Sequence, residues 1–94
     1  MIDKIINSSF FDYKRILITG GTGTIGNKLT IFLLNNTECK KICIFSRDEY
    51  KQSVMKLNFS NNKNYDKLRF LIGDIRDLNR LKFSMTNIDI VFHT

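Results

Sequence analysis

The sequence predicts an α/β protein in which helices connect the strands of one parallel sheet. Short β-branched runs alternate with helical patterns along the 94 residues, an order typical of parallel strands joined by right-handed crossovers. Residues 42–45 are apolar in succession, as expected of a parallel strand that is covered on both faces. A glycine-rich turn stands between the first strand and the first helix. Together these three observations favour a doubly wound sheet.

Four short apolar runs are the predicted strands. They are residues 15–19, 41–46, 68–72 and 89–93. Each is rich in β-branched or aromatic residues, which favour strands. Because a helical pattern separates each pair, we expect the order β-α-β-α-β-α-β along the chain and the strand order 3-2-1-4 in the sheet. A ligand would then lie at the carboxyl ends, where the order switches between strands 1 and 4.

Apolar residues at helical spacing predict the three connecting helices. In the first helix, residues 24–35, one face carries Ile25, Leu29, Phe32 and Leu33. In the second, residues 48–59, it carries Tyr50, Val54 and Leu57. In a short third helix it carries Leu78, Leu81 and Met85. Asp77 precedes the third helix and is its predicted N-cap. Near the N-terminus, a short amphipathic turn is predicted within residues 2–11, with Ile2, Ile5 and Ile6 on one side.

The turn after the first strand reads Thr19-Gly-Gly-Thr-Gly-Thr-Ile-Gly26. Gly20 permits a tight turn, Gly23 allows a pyrophosphate to approach the backbone, and Gly26 lets the helix pack closely. The helix N-terminus then directs free N–H groups and a partial positive charge at the phosphates. The predicted phosphate-binding residues are Gly20, Thr22, Gly23, Thr24, Ile25 and Gly26. The alternative is a glycine-rich turn without a ligand, whereas a P-loop is excluded because Asn27-Lys28-Leu29 follows Gly26.

The residues at the end of the second strand indicate whether the cofactor is NADP or NAD. NAD-binding folds place an acidic residue there to hold the ribose 2′-hydroxyl, but this chain has Ser46 and Arg47. A hydroxyl and a guanidinium suit the 2′-phosphate of NADP, which we therefore predict as the cofactor in preference to NAD. Ser46 and Glu49 also fit a capping box that starts the helix, and the two interpretations are compatible. Asp48 would hold a ribose hydroxyl if the strand ended later, and Lys51 either supplements Arg47 or is an exposed helix lysine.

The segment after the third strand, Gly73-Asp-Ile-Arg-Asp77, predicts contacts with adenine. Asp74 can accept a hydrogen bond from the adenine amino group, and Ile75 can pack on the ring. The alternative is a turn followed by an N-cap. His93, at the end of the fourth strand, is interpreted as a structural residue or one near the cofactor. No catalytic residue is predicted.

Charge and composition exclude several classes of function. The net charge is +6, but the Lys and Arg residues are spread along the chain, which indicates a solvated basic surface and no nucleic-acid partner. No apolar run approaches the roughly 20 residues that span a membrane, and the N-terminus does not resemble a secretory signal. Cys39 and Cys43 fit neither a metal site nor a disulfide framework, so we expect no metal and a reduced, cytoplasmic location.

Together the motifs resemble the extended branch of the short-chain dehydrogenase/reductase superfamily. Within that branch the chain is similar to the polysaccharide-biosynthesis group of nucleotide-sugar dehydratases, and most of all to the inverting UDP-N-acetylglucosamine 4,6-dehydratase type. The resemblance extends over about residues 13–94 and is carried by residues 16–23, 45–52, 70–77 and 89–93. Residues 45–52, Phe-Ser-Arg-Asp-Glu-Tyr-Lys-Gln, are the most specific of these motifs.

The resemblance implies the N-terminal part of a Rossmann-type domain that uses NADP for a redox cycle on a nucleotide sugar. In that cycle the sugar C4 hydroxyl is oxidised, water leaves across C5 and C6, and the hydride returns at C6. Members of the group have a Tyr-x-x-x-Lys pair and a C-terminal substrate domain, and this chain contains neither. We therefore expect residues 1–94 to be a truncated NAD(P)-binding domain, with residues 1–14 as an N-terminal extension and no activity alone.

The expected partners follow from the same resemblance. They are a dinucleotide cofactor, a UDP-sugar only in a full-length enzyme, and a further copy or a complementing chain. Two alternatives remain open. The chain is either a non-catalytic NAD(P)-binding module that acts as a sensor or partner of another protein, or a decayed gene product.

Overall fold

The computed structural model describes residues 8–94, in which four parallel strands form one sheet. The strands are β1 (Arg15–Thr19), β2 (Lys41–Ser46), β3 (Leu68–Ile72) and β4 (Ile90–His93). Their order in the sheet is β3-β2-β1-β4. In the register, Ile16 of β1 is paired with Ile42 of β2 and with Ile90 of β4. The α/β class, the parallel pairing and the predicted strand order are confirmed.

Three α-helices connect the strands and lie on both faces of the sheet. They are α1 (Thr24–Asn36), α2 (Glu49–Phe59) and α3 (Leu78–Ser84), and short 3₁₀ turns lie at Ser8–Phe11 and Tyr65–Lys67. Asp77 is the N-cap of α3, as predicted, and its side chain accepts a hydrogen bond from the backbone N–H of Arg80. The residues of the predicted N-terminal turn, Ile2, Ile5 and Ile6, lie outside the described part of the chain.

The larger core lies between the sheet and helices α1 and α2. Its buried side chains come from one face of β1 and β2 and from the inner faces of the two helices. They include Ile16, Ile18, Leu33, Leu34, Ile42, Ile44, Met55 and Phe59. Because successive side chains of a strand point to opposite faces, Leu17, Cys43 and Phe45 form a smaller cluster on the other face, where Leu81 of α3 packs. Both faces of β2 are therefore covered, as its continuous apolar run predicts.

The inner face of α2 differs from the prediction. Tyr50 and Leu57 are 76% and 75% exposed, and Val54 is also exposed. The buried residues of this helix are Gln52, Met55 and Phe59. The helix carries two apolar stripes, and the stripe on the side of Gln52 packs against the sheet. This orientation allows the Gln52 amide to donate hydrogen bonds to carbonyl groups at the strand ends. A polar residue thus helps to set the rotation of α2 about its own axis.

The predicted inner face of α1 is correct except at its beginning. Ile25 is exposed, because Gly26 is the residue of the first turn that packs inward. The other three predicted residues are partly or fully buried, and they are Leu29, Phe32 and Leu33.

Helix α3 covers less of the sheet than predicted, and β4 begins one residue later. Leu78 and Met85 are exposed, because α3 spans only seven residues and Met85 is already its C-cap. Leu81 is the predicted residue of α3 that packs on the sheet.

Asp89 lies just before β4 and is hydrogen-bonded to the backbone of Arg15. Its carboxylate accepts from the Arg15 N–H, and its own N–H donates to the Arg15 carbonyl oxygen.

Candidate functional site

A cleft of about 600 Å³ runs along the carboxyl ends of the strands, within the size range of small-molecule sites. Its lining comes from the β1–α1 turn, from the ends of β2 and β3 with the segments that follow them, and from the end of β4. The lining residues are Gly20, Thr22, Phe45, Ser46, Arg47, Asp48, Lys51, Gly73, Asp74, Ile75, Arg76, His93 and Thr94. This edge is where a doubly wound sheet binds its ligands.

Gly20 and Gly26 of the β1–α1 turn are required for different reasons. Gly20 has a backbone φ of 64°, a left-handed conformation that residues with a side chain rarely adopt. At Gly26, a Cβ would collide with the backbone of Gly21 and push α1 away from the turn. The tight turn predicted at Gly20 and the close helix packing predicted at Gly26 therefore agree with the structure.

Gly23 has neither a left-handed backbone nor a steric clash that would require glycine. It is the N-cap of α1, with φ −78° and ψ −177°, an extended conformation that any residue adopts. A Cβ there would come no closer than 3.6 Å to its nearest neighbour, the carbonyl oxygen of Gly20. Packing within the described residues therefore does not explain the absence of a side chain at this position.

The N-terminus of α1 is open to an anion. No side chain of the described residues caps it, and its first turn contains no acidic residue. The first N–H groups of a helix lack intrahelical partners and carry a partial positive charge. The free space at Gly23 thus coincides with hydrogen-bond donors that suit a phosphate group.

Ser46 ends β2 at the cleft and is buried. Its carbonyl oxygen accepts a hydrogen bond from the Gly73 N–H at 2.9 Å, and its hydroxyl oxygen accepts one from the Gln52 amide at 3.0 Å. The same amide donates to the carbonyl oxygen of Leu71 on β3, also at 3.0 Å. Gln52 thus ties α2 to the ends of two strands. Sequence reasoning missed this role, because it depends on the rotation of α2.

Asp48 is the N-cap of α2, and the predicted capping box of Ser46 and Glu49 is wrong. The Asp48 carboxylate accepts a hydrogen bond from the Lys51 N–H at 3.0 Å. Ser46 lies two residues before this cap and still belongs to β2, so its hydroxyl is directed to Gln52 instead of to the helix start. Since β2 ends at Ser46 as predicted, Ser46 and Arg47 occupy the place where NAD-binding folds have an acidic residue.

Two arginines meet one carboxylate at the edge of the cleft. The Arg76 guanidinium donates to Asp74 with an Nη2–Oδ2 distance of 2.7 Å, and its backbone N–H donates at 2.9 Å. Arg47 Nη1 lies 3.6 Å from Asp74 Oδ2, and the Arg47 side chain is 73% exposed. Hydrogen bonds from Arg76 lower the pKa of Asp74 well below its usual range, and the charge of Arg47 lowers it further by a smaller amount. Asp74 therefore holds two permanent positive charges at the cleft.

Replacing Arg76 by alanine should raise the pKa of Asp74 towards the ordinary value of about 3.9, but not fully to it, because the backbone N–H of residue 76 still donates to the carboxylate and Arg47 still lies nearby. Because the pKa is lowered in the folded chain, the stabilisation from this pair is present above the ordinary pKa and is lost as the pH falls below it. The ¹³C chemical shift of the Asp74 carboxyl group, followed between pH 2 and 6 at roughly half-unit steps, measures the change. Arg47→Ala is the control and should move the pKa less. Equal shifts in the two variants would contradict the dominant role of Arg76.

The structure brings most of the predicted site residues together. Gly20 and Thr22 line the cleft with the predicted residues at the end of β2 and after β2 and β3, which are Ser46, Arg47, Asp48, Lys51, Asp74 and Ile75. The remaining four form the start of α1 beside the cleft, and they are Gly23, Thr24, Ile25 and Gly26. Sequence reasoning assigned no role to Arg76, although it stands inside the motif predicted to contact adenine.

The end of β4 completes the cleft. His93 Nδ1 lies 2.6 Å from the hydroxyl oxygen of Thr19 at the end of β1. The Thr94 hydroxyl donates to the carbonyl oxygens of Thr19 and Gly20, at 2.7 and 3.0 Å. These contacts agree with the structural position beside the cleft that was predicted for His93. They also connect the glycine turn to the end of the neighbouring strand, β4.

Other kinds of site receive no support in the described part of the chain. Within residues 8–94, no group of three or more His, Cys, Asp and Glu side chains is arranged to hold a metal ion. None of the helices in that range has both the length and the apolar character that crossing a membrane requires. Cys39 and Cys43 are buried and free. The chemistry of the cleft therefore lies in its backbone N–H groups, hydroxyls and charged side chains.

The sequence also matches a known family over most of its length. The family model described as polysaccharide biosynthesis protein matches residues 16–94. The chain belongs to this family. The family resemblance inferred from the sequence motifs is thereby confirmed.

Curated relatives in two enzyme classes share this region. An inverting UDP-N-acetylglucosamine 4,6-dehydratase of Campylobacter jejuni is 47% identical over 83 residues, which are 88% of this chain and 24% of that protein. A UDP-glucose 4-epimerase of Rickettsia bellii is 46% identical over 83 residues, which are 85% of this chain and 23% of that protein. The chain thus spans about a quarter of the length of these relatives.

A solved structure shares the fold. It is a short-chain dehydrogenase/reductase of Veillonella parvula in complex with NADP, with a TM-score of 0.68 and 26% sequence identity. The match covers 86% of this chain and 35% of that chain. The described residues therefore form the N-terminal part of a Rossmann-type sheet of the short-chain dehydrogenase/reductase kind.

Proposed function

We propose that the chain binds a nicotinamide dinucleotide in the cleft at the carboxyl ends of its strands, with NADP preferred to NAD. The observation that carries this proposal is Gly23. Nothing in residues 8–94 requires a glycine there, yet the position is the N-cap of α1, whose N-terminus is open. A pyrophosphate that lies against the backbone accounts for the missing side chain.

The remaining groups of the cleft fit the rest of the cofactor. The N–H groups at the start of α1 bind the pyrophosphate, with Thr22, Thr24 and Ile25 beside it. Ser46, Arg47 and Lys51 surround the 2′-phosphate, and Asp74 and Ile75 contact the adenine. When bound, the cofactor supplies reversible hydride transfer at its nicotinamide ring. The residues of this chain bind and orient it.

The preference for NADP rests on charge at the end of β2. The strand ends at Ser46, and the carboxylate of Asp48 is already used as a helix cap. Arg47, Lys51 and Arg76 bring three cations to the cleft. A guanidinium matches the geometry and charge of a phosphate and keeps its charge at all physiological pH values. NAD lacks the group that these cations would bind.

In the longer proteins that share this region, we propose that the chain corresponds to the cofactor-binding part of a nucleotide-sugar dehydratase. The 4,6-dehydratase of C. jejuni and the epimerase of R. bellii are almost equally similar to it. The sequence Ser-Arg-Asp-Glu-Tyr-Lys-Gln at residues 46–52 supports the dehydratase of the UDP-N-acetylglucosamine type. A UDP-sugar substrate is accordingly a property of the longer enzyme.

Fluorescence titration tests the cofactor proposal directly. NADPH should bind the chain saturably with a change in its nicotinamide fluorescence, and 2′,5′-ADP should displace it more effectively than 5′-AMP. These two competitors differ only in the 2′-phosphate. Circular dichroism establishes that the chain is folded during the titration. A folded chain that binds neither NADPH nor NADH would refute the proposed function.

The chain alone should not convert UDP-N-acetylglucosamine. Its three tyrosines are not followed by a lysine four positions later, because Tyr13, Tyr50 and Tyr65 precede Leu17, Val54 and Arg69 at that spacing. Without a positioned acid/base pair, proton transfer to and from the sugar lacks its catalyst. Mass spectrometry after incubation with NADP and the nucleotide sugar measures the outcome. Formation of a 4-keto-6-deoxy product would contradict the expectation.

A further inference from the structure

We propose that Gln52 is a positioning residue that contributes to the preference for NADP, by holding the Ser46 hydroxyl as a hydrogen-bond donor to the 2′-phosphate. This inference rests on the proposed function. It assigns part of the cofactor preference to a buried side chain that is not among the residues lining the cleft.

The surroundings of Gln52 fix the orientation of its amide. The side chain is nearly inaccessible, with 2% of the residue exposed. Its Nε2 lies 3.0 Å from the carbonyl oxygen of Leu71 and 3.3 Å from that of Ser46. Carbonyl oxygens only accept hydrogen bonds, so the NH₂ group must face them. Gln52 therefore presents a donor, and not an acceptor, to the end of β2.

The donor from Gln52 determines which way the Ser46 hydroxyl points. A serine hydroxyl has one proton to donate and two lone pairs that accept. Its oxygen lies 3.0 Å from Gln52 Nε2 and accepts a hydrogen bond there. The Ser46 hydroxyl donates no hydrogen bond to another of the described residues. Because Ser46 lines the cleft, the proton is available to a ligand.

A serine held as a donor favours NADP over NAD. A phosphate oxygen is negatively charged, and a hydrogen bond to it is about twice as strong as one between neutral groups. The ribose 2′-hydroxyl of NAD is neutral and gains less from the same donor. Without the Gln52 amide, the Ser46 hydroxyl is free to rotate, so the 2′-phosphate loses a donor that was already oriented.

The test uses Gln52→Met, which keeps the length of the side chain and removes its amide. NADPH affinity should fall at least about tenfold, the lower value of one hydrogen bond to a charged group, while NADH affinity stays within about twofold. Ser46→Ala should produce a similar loss. In the Gln52→Met background, Ser46→Ala should cause no further loss of preference, because both changes remove the same interaction.

A matched control separates positioning from stability. Thr37→Val removes a buried hydroxyl that donates to the Leu33 carbonyl at 2.7 Å, at the C-terminal end of α1 and away from the cleft. This variant should lose stability without changing the ratio of NADPH to NADH affinity. Equal losses for both cofactors in Gln52→Met, or additive losses in the double variant, would overturn the proposal. If the unsubstituted chain binds neither cofactor, the proposed function fails and this inference fails with it.

A second measurement needs no substitution. In the ¹⁵N-labelled chain, the side-chain amide resonances of Gln52 should shift when 2′,5′-ADP binds and shift much less with 5′-AMP at equal saturation. The reason is that only the former ligand polarises the Ser46 hydroxyl to which the amide donates. Equal shifts with the two nucleotides would show that Gln52 does not respond to the 2′-phosphate.

Discussion

Alanine at position 26 should destabilise the chain by about 3 kcal/mol or more, the upper range for overpacking in a closely packed site. A Cβ at Gly26 would meet the backbone of Gly21, which cannot move aside as a flexible side chain does. A domain of this size has only about 5–15 kcal/mol of stability in total. Urea unfolding followed by circular dichroism should therefore show a much lower midpoint, or no folded baseline at all.

Gly23 provides the matched control for this change. Its Cβ would make an ordinary van der Waals contact, at 3.6 Å from the nearest atom, so Gly23→Ala should cost no more than about 1 kcal/mol, the disadvantage of alanine at a helix N-cap. A bulkier Gly23→Val should keep the fold and weaken NADPH and NADH alike, because both cofactors share the pyrophosphate. Similar losses of stability at positions 23 and 26 would contradict this division between a folding glycine and a binding glycine.

Arg47→Ala should remove most of the preference for NADP. A charge-assisted contact with the 2′-phosphate contributes about 1.5–3 kcal/mol, which corresponds to a roughly ten- to 150-fold preference over NAD. The Arg47 side chain is largely exposed and only loosely paired with Asp74, at 3.6 Å, so it is free to turn towards a bound phosphate. NADH affinity should change little, as measured by parallel titrations of NADPH and NADH.

Lys28 offers a control for the charge itself. It is an exposed lysine of α1 that does not line the cleft, and Lys28→Ala removes the same unit of charge. That variant should leave the ratio of NADPH to NADH affinity unchanged. If Arg47→Ala weakened both cofactors equally, Arg47 would not read the 2′-phosphate, and Asp48 would become the candidate for holding the ribose.

The strands were the most predictable part of the fold. The bounds of β1, β2 and β3 agree with the sequence pattern, because continuous apolar runs leave few alternatives in a sheet covered on both faces. The inner face of α2 was not predictable from apolar spacing. Tyr50, Val54 and Leu57 form one stripe and Met55 and Phe59 another, and the choice depends on hydrogen bonds from Gln52 to two different strands.

In the candidate site, too, some features follow from the sequence pattern and others only from the folded structure. Its position at the strand ends follows from topology, and its glycines and Ser46 follow from local motifs, since each acts through its own backbone or side chain. Gln52 acts through strand partners that only the folded chain brings near, whereas the partner of Arg76 is two residues away in sequence. Arg76 depends on the turn that lets it reach back to Asp74, and Gln52 depends on the rotation of a helix. The pKa of Asp74 tests the role of Arg76, and the ratio of NADPH to NADH affinity tests that of Gln52.

The contacts of Thr94 have a consequence for the order of events during synthesis. The glycine turn near residue 20 leaves the ribosome long before residue 94, yet Thr94 donates hydrogen bonds across 74 and 75 residues to Gly20 and Thr19. Pairs so distant in sequence form late, after the entropy of closing a long loop has been overcome. In the nascent chain, the glycine turn therefore lacks the hydrogen bonds from Thr94 until β4 docks. A nucleotide that bound the completed cleft would stabilise the state in which β4 has docked.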